Sequence, residues 1–177
     1  KKAKLMRAHG MTTLSYQRAG GHATSYDVVT LGYNYRMDDI HASIGRVQLQ
    51  KLEGDIQNRR RHVARYIHGL SDVNDVTVPF KAHRGTSSHY IFPIWVAGGE
   101  ERRDALRAHL KENGVMTSMH YKPVHSFSIY EEFSRTLPKT MQAVEGLITL
   151  PLYGHMDEDA PDYVCKVLKE GLSKCQA

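Results

Sequence analysis

Gly32-Tyr33-Asn34-Tyr35-Arg36-Met37-Asp38-Asp39-Ile40 crowds a glycine, two phenols, an amide and a guanidinium into the start of a long helical pattern. Beyond it, Ile40, Ile44, Val47, Leu52, Ile56, Val63, Ile67 and Leu70 recur at helical spacing, which predicts one helix from about Met37 to Leu70. Asp38 suits the N-cap, where a carboxylate accepts from the unpaired N–H groups of the first turn. Such a helix start carries partial positive charge, and Arg36 adds a forked donor, so the segment is a candidate site for phosphate or carboxylate. The plainer alternative is a helix start whose Asn34 and Arg36 only satisfy local backbone groups. Gly45 and Gly54 each cost about 1 kcal/mol relative to Ala, which points to close packing or a bend there.

Upstream, Lys1 to about His9 reads as a short helix with Leu5 and Met6 buried and Gly10 closing it. Met11 to Leu31 shows no sustained period, with Gly20-Gly21 as a turn and Asp27-Val28-Val29 as a short strand. Downstream of Ser71 the pattern changes. Val76–Phe80, His89–Val96, Val115–Tyr121 and Leu147–Leu150 read as strands. Helices are expected from about Glu100 to Asn113, closed by Gly114, and from about Glu158 to Lys174. The second carries an apolar stripe of Ala160, Tyr163, Val164, Val167, Leu168 and Leu172. Strands alternating with helices predict an α/β fold, with helices over at least one sheet face.

Composition narrows the function classes. The chain has 177 residues, 41% of them hydrophobic and 24% charged, an ordinary globular balance. No apolar run approaches the roughly 20 residues of a membrane span, and no signal peptide opens the sequence, so the expectation is a cytoplasmic protein without a membrane partner. Cys165 and Cys175 are read as reduced thiols in one helix. Twenty-four Lys and Arg against 19 Asp and Glu give a formal charge of +5, which raises the question of a polyphosphate partner. The basic residues are scattered, however, and the densest run, Arg59-Arg60-Arg61, falls inside the helical pattern. A solvated face or a subunit contact is preferred to nucleic acid.

Familiar phosphate-loop, C-x-x-C, H-E-x-x-H and G-x-S-x-G motifs are absent, and Gly98-Gly99 is read as a turn. A second cluster is Met119-His120-Tyr121-Lys122-Pro123-Val124-His125. Ligands of open α/β sheets collect beyond strand ends, and His, Tyr and Lys there supply donors and acceptors for sugar hydroxyls or phosphates. A plain strand exit is the alternative. His120 and His125 lack the Cys or clustered carboxylates expected around a metal, so no metal is assigned.

The order of segments carries more than any one of them. The stretch Gly32–Gly45 runs into Gln48-Leu49-Gln50-Lys51-Leu52 and Arg59-Arg60-Arg61. His89-Tyr90-Ile91-Phe92-Pro93-Ile94 follows, then Arg103-x-x-Leu106-x-x-x-Leu110, Gly114-Val115, His120-Tyr121-x-Pro123-x-His125 and Leu150-Pro151-Leu152-Tyr153. This series resembles the second half of the DegT/StrS-type sugar aminotransferases, whose architecture is that of fold-type I pyridoxal 5′-phosphate (PLP) enzymes. The resemblance covers nearly the whole chain and is weakest between Thr12 and Asp27.

What the resemblance implies is specific. The chain would be an α/β fragment: residues 1–36 a remnant of the large PLP-binding domain and interface loop, 37–71 the connecting helix, and 72–177 the small C-terminal α/β domain. Asn34 matches an asparagine that reaches the PLP phosphate of the neighbouring subunit of a homodimer, and Arg36 lies in the same stretch. His120 and Tyr121 match a stretch near the sugar, and His89 a structural position. The parent enzyme would move an amino group, usually from glutamate, to a nucleotide-diphosphate keto-sugar. The Schiff-base lysine that anchors PLP and shuttles protons in that family has no counterpart among these residues. The isolated chain is therefore expected to be inactive and to hold no PLP alone. A non-catalytic interaction or oligomerisation domain derived from the same family is the alternative.

Overall fold

Phe92, Ile94 and Val96 alternate with less buried neighbours, and this period of two builds the central strand of the fold. A computed structural model of the protein describes residues 1–12, 26–83 and 85–175. The chain divides into two compact units, residues 1–50 and 51–177. The turn expected at Gly20-Gly21 lies outside the described residues.

In the second unit, β1 (Val76–Thr77), β2 (Phe92–Val96) and β3 (Leu147–Leu150) form an antiparallel sheet in the order β1-β2-β3. Val76 stands opposite Val96, and Ile94 opposite Ile148. The helices of this unit are α3 (Gly99–Glu112), α4 (Pro138–Glu145) and α5 (Ala160–Lys174). Leu106 and Leu110 of α3 and Val164, Val167, Leu168 and Leu172 of α5 share one core with Phe92, Ile94, Ile148 and Leu150. The long helix α2 (Asp39–Gly69) contributes Val63 and Tyr66 to that core through its last turns. Gly114, at φ 77°, ends α3 with Val115 N–H donating back to Leu110 O at 2.8 Å, the left-handed closure that glycine permits. Gly171 lets α5 approach α3, since a Cβ there would sit 2.6 Å from Leu106 Cδ1.

Several expected elements come out differently. The strand Val76–Phe80 shrinks to two residues and His89–Val96 starts at Phe92, because Phe80 and His89 adopt left-handed φ values of 58° and 49° that no strand accommodates. Val115–Tyr121 is not a strand. Only Ser118 pairs with Thr149, through backbone bonds of 3.1 and 2.7 Å, before Pro123, which lacks an N–H, turns the chain away. Tyr163 leaves the buried stripe of α5 and is 51% exposed; its hydroxyl donates to Asn113 O at 3.0 Å. Helix α4 is too short to announce itself by periodicity. Gly45 and Gly54 have open space around them, not close packing.

In the first unit, α1 (Lys2–Arg7) is followed by Gly10 at φ 74°, whose N–H bonds Leu5 O. Leu5 and Met6 are only half-buried, and Ala8 and Gly10 are buried instead, because this short helix docks through its last backbone groups. The Asp27–Val29 strand reduces to a single Met11–Val28 bridge.

Buried charge in the second unit is compensated. Arg103 is 4% exposed, yet its guanidinium reaches Glu100, Asp104 and the Val144 carbonyl. His62 is equally buried, and among the described residues no partner meets either ring nitrogen in good hydrogen-bond geometry. Burial, then the charges of Arg61 and Arg65, hold its pKa below the ordinary 6.5, against smaller opposing pulls from Glu158 and the Met156 backbone. Unfolding frees the ring to take up a proton that the folded chain resists. The stabilisation is therefore complete above about pH 6.5 and is lost as pH falls below that value. Denaturant titrations at pH 7.5 and 5.5 are expected to show a loss of stability in acid, and His62→Leu a smaller one. An unchanged pH slope in the variant contradicts this reading.

Candidate functional site

Residues 33–35 run extended along the end of α1. Tyr33 N–H donates to Met6 O at 2.6 Å, His9 N–H to Tyr33 O at 2.9 Å and Tyr35 N–H to Arg7 O at 2.9 Å. Gly32 makes this possible, because a Cβ there would collide with the Gly10 backbone nitrogen. Extended backbone sends alternate side chains to opposite faces. Tyr33 and Tyr35 stack with centroids 5.2 Å apart, while Asn34 and Arg36 meet each other. Arg36 Nε donates to Asn34 Oδ1 at 2.9 Å, and its Nη2 lies 3.4 Å from His9 Nε2. A guanidinium only donates, so this contact requires the His9 tautomer with its proton on Nδ1. With Oδ1 engaged by Arg36, the Asn34 amide presents its NH2 group as a donor beside the guanidinium. Both residues are exposed. Two adjacent donors, one of them charged, match the acceptor-only oxygens of a phosphate.

The helix terminus next to them is already capped. Asp38 Oδ1 accepts from His41 N–H at 2.8 Å and Oδ2 from the His41 ring at 2.7 Å, and these bonds hold the Asp38 carboxyl below the usual carboxylate range. Anion binding in this stretch thus rests on the Asn34 and Arg36 side chains more than on helix N–H groups.

In the second unit, the Ser118–Thr149 bridge anchors the chain two residues before His120. Ser118 Oγ lies 3.3 Å from His120 Nδ1, and the Tyr121 ring meets the imidazole edge-on, with centroids 4.6 Å apart. Tyr121 is 68% exposed. Lys122 Nζ sits over the Phe127 ring at 5.7 Å, so it is turned toward an aromatic surface. His125 falls in a 3-10 turn, Val124–Ser126, and borders an apolar depression of about 400 Å³ with Tyr130, Phe133 and Leu137. Sequence reading passed over this depression and Ser118; the aromatic run Phe127–Phe133 was its only signal. Among the described residues no group of three or more His, Cys, Asp or Glu is placed to hold a metal, and no helix is long and apolar enough to cross a membrane.

The mixed α/β fold is that of the fold-type I PLP-dependent aminotransferases, over somewhat less than half of their length. The model of the DegT/DnrJ/EryC1/StrS aminotransferase family matches residues 1–169, and the chain belongs to that family. Among solved structures it is similar to the aminotransferase TlmJ from Streptoalloteichus hindustanus, at 30% identity and a TM-score of 0.84, covering 98% of this chain and 44% of that one. It is also similar to Spr1654, a putative sugar aminotransferase from Streptococcus pneumoniae solved in PLP and PMP forms. The PMP form gives 28% identity and a TM-score of 0.84, covering 97% of this chain and 44% of that one. PseC of Helicobacter pylori, an aminotransferase in pseudoaminic acid biosynthesis, shares the fold at 21% identity and a TM-score of 0.84, covering 98% of this chain and 46% of that one.

Proposed function

We propose that this chain is the C-terminal part of a PLP-dependent aminotransferase that moves an amino group from glutamate to a nucleotide-diphosphate keto-sugar in the cytoplasm. The observation that carries it is the paired donor set of Asn34 and Arg36, exposed beside an aromatic stack in a chain of this family. Residues 1–36 belong to the large domain and its interface loop, 37–71 to the connecting helix, and 72–177 to the small domain. Asn34 and Arg36 hold the cofactor phosphate of the neighbouring subunit in a homodimer, through hydrogen bonds strengthened by charge. His120 and Tyr121 orient the sugar, the imidazole accepting from or donating to a hydroxyl and the exposed phenol offering a second polar contact. When bound, PLP supplies an electron sink for the carbanion chemistry of amino transfer. Exposed Ile40, Ile44 and Val47 on the first turns of α2 favour subunit association, because apolar surface of this kind is covered in a stable assembly.

The full-length protein, given PLP, glutamate and a nucleotide-diphosphate keto-sugar, is expected to yield the amino-sugar and 2-oxoglutarate. Transfer to simple 2-oxo acids with none to a panel of nucleotide keto-sugars overturns the substrate assignment. The 177-residue chain alone is expected to retain no cofactor absorbance after dialysis against buffer and to show no turnover, since the covalent lysine also moves the proton. Retained absorbance that an amino donor discharges contradicts that expectation.

A further inference from the structure

Residues from 78–83 and 85–93, in the loop from β1 into the start of β2, line with Val63 and Ile67 of α2 a partly open cavity of about 230 Å³. Its floor is apolar, with Val63 and Phe92 buried and Ile67 partly so. Its rim carries Lys81, His83 and His89, and none of the described residues lining it is acidic. Arg60 on α2 adds positive charge beside His89. Ser87 Oγ accepts from His89 N–H at 3.1 Å, which leaves the hydroxyl proton to be donated elsewhere. Phe80 and His89, both at left-handed φ, bracket this loop. Backbone of that kind in residues other than glycine costs on the order of 1–3 kcal/mol and gathers at ligand sites.

We propose that this cavity binds a small organic anion with an apolar body, of the aromatic or branched carboxylate class. The apolar floor takes the body, while Lys81, Ser87 and the two imidazoles take the charged head. The volume falls below the usual range for drug-sized ligands, which limits the guest to a small metabolite. The proposal does not depend on the aminotransferase reading, because it uses neither the cofactor donors nor His120. Burial, then Arg60, keeps the His89 pKa below 6.5; an anion opposite the ring, beside Lys81 and His83, opposes both effects. Binding then takes up a proton and tightens as pH falls from 8 to 6.

The experiment is a titration of this chain with benzoate, which stays ionised across that range, read by the imidazole NMR signals of His83 and His89. Benzyl alcohol is the uncharged control and phenyl phosphate the second anion. Saturable shifts at His83 and His89 with benzoate, tighter at pH 6 than at pH 8 and absent with benzyl alcohol, are expected. Lys81→Ala, at an exposed position, should weaken binding roughly fivefold. His89→Asn, which keeps a residue tolerant of left-handed backbone, should weaken the pH dependence, and the double substitution with His83→Asn should abolish it, while the amide spectrum remains folded. Saturation by phenyl phosphate alone replaces the carboxylate with a phosphate ester and overturns the class assignment. Shifts of equal size at His125 and His155, equal binding of benzyl alcohol, or unchanged affinity in Lys81→Ala overturns the site.

Discussion

Mixing a full-length subunit that lacks its cofactor lysine with one carrying Asn34→Ala is expected to restore transaminase activity that neither has alone at limiting PLP. Asn34 and Arg36 form one donor pair, and the proposed phosphate belongs to the opposite subunit. A mixed dimer then holds one site with both defects and one site with none. Asn34→Ala removes about one hydrogen bond to a charged group, roughly 1.5–3 kcal/mol, which weakens cofactor retention about 10- to 100-fold. Subunit exchange must be verified, for example with two affinity tags. Exchanged dimers that stay inactive would place Asn34 with its own chain's cofactor, and the shared-site proposal fails.

Tyr66→Ala is expected to cost about 3–5 kcal/mol of stability, the range for deleting a large buried aromatic. The ring is fully buried, stacks on Phe92 with centroids 4.8 Å apart, and its hydroxyl donates to Pro151 O at 2.8 Å. It thereby fastens α2 to the sheet and to the chain leaving β3. Burial raises its pKa far above the ordinary 10, so the phenol stays protonated and remains a donor at any working pH. Tyr66→Phe keeps the stack and loses about 1 kcal/mol with the hydrogen bond. Ile44→Ala, on the same helix but 56% exposed, should stay within about 0.5 kcal/mol in the dissociated chain. Denaturant midpoints separate the three. Equal losses for Tyr66→Ala and Ile44→Ala would contradict the core described above.

These two substitutions also mark how far periodicity reaches. Ile40, Ile44, Val47, Val63 and Leu70 carry one helical repeat, and the expected span of Met37 to Leu70 became α2, Asp39–Gly69. Burial along it is uneven: Val63 and Leu70 are buried, while Ile40 and Ile44 are largely exposed. A repeat states which residues share a face, but not what covers that face. The candidate site divides in the same way. Period-two alternation in an extended stretch brings Asn34 and Arg36 together; the sequence placed both in one short segment but, read as a helix start, did not give their contact. Nor did it give the approach of His9, 27 residues before Arg36.

The sequence by itself determined the family, the long helix and its Asp38 cap, the strands at β2 and β3, the final amphipathic helix and the glycine closures at Gly10 and Gly114. These depend on local spacing and on backbone conformations that a few residue types permit. Tertiary structure alone decided that Val115–Tyr121 contributes one bridge and not a strand, and that Arg103 lies buried between two carboxylates and a carbonyl. It also decided that the His62 ring sits buried and that a basic-rimmed cavity opens beside α2. Glu100 and Asp104 lie on the same helix as Arg103, but the Val144 carbonyl, the Ser118–Thr149 bridge and the groups around His62 and the cavity join residues distant in sequence, and no local period encodes those meetings.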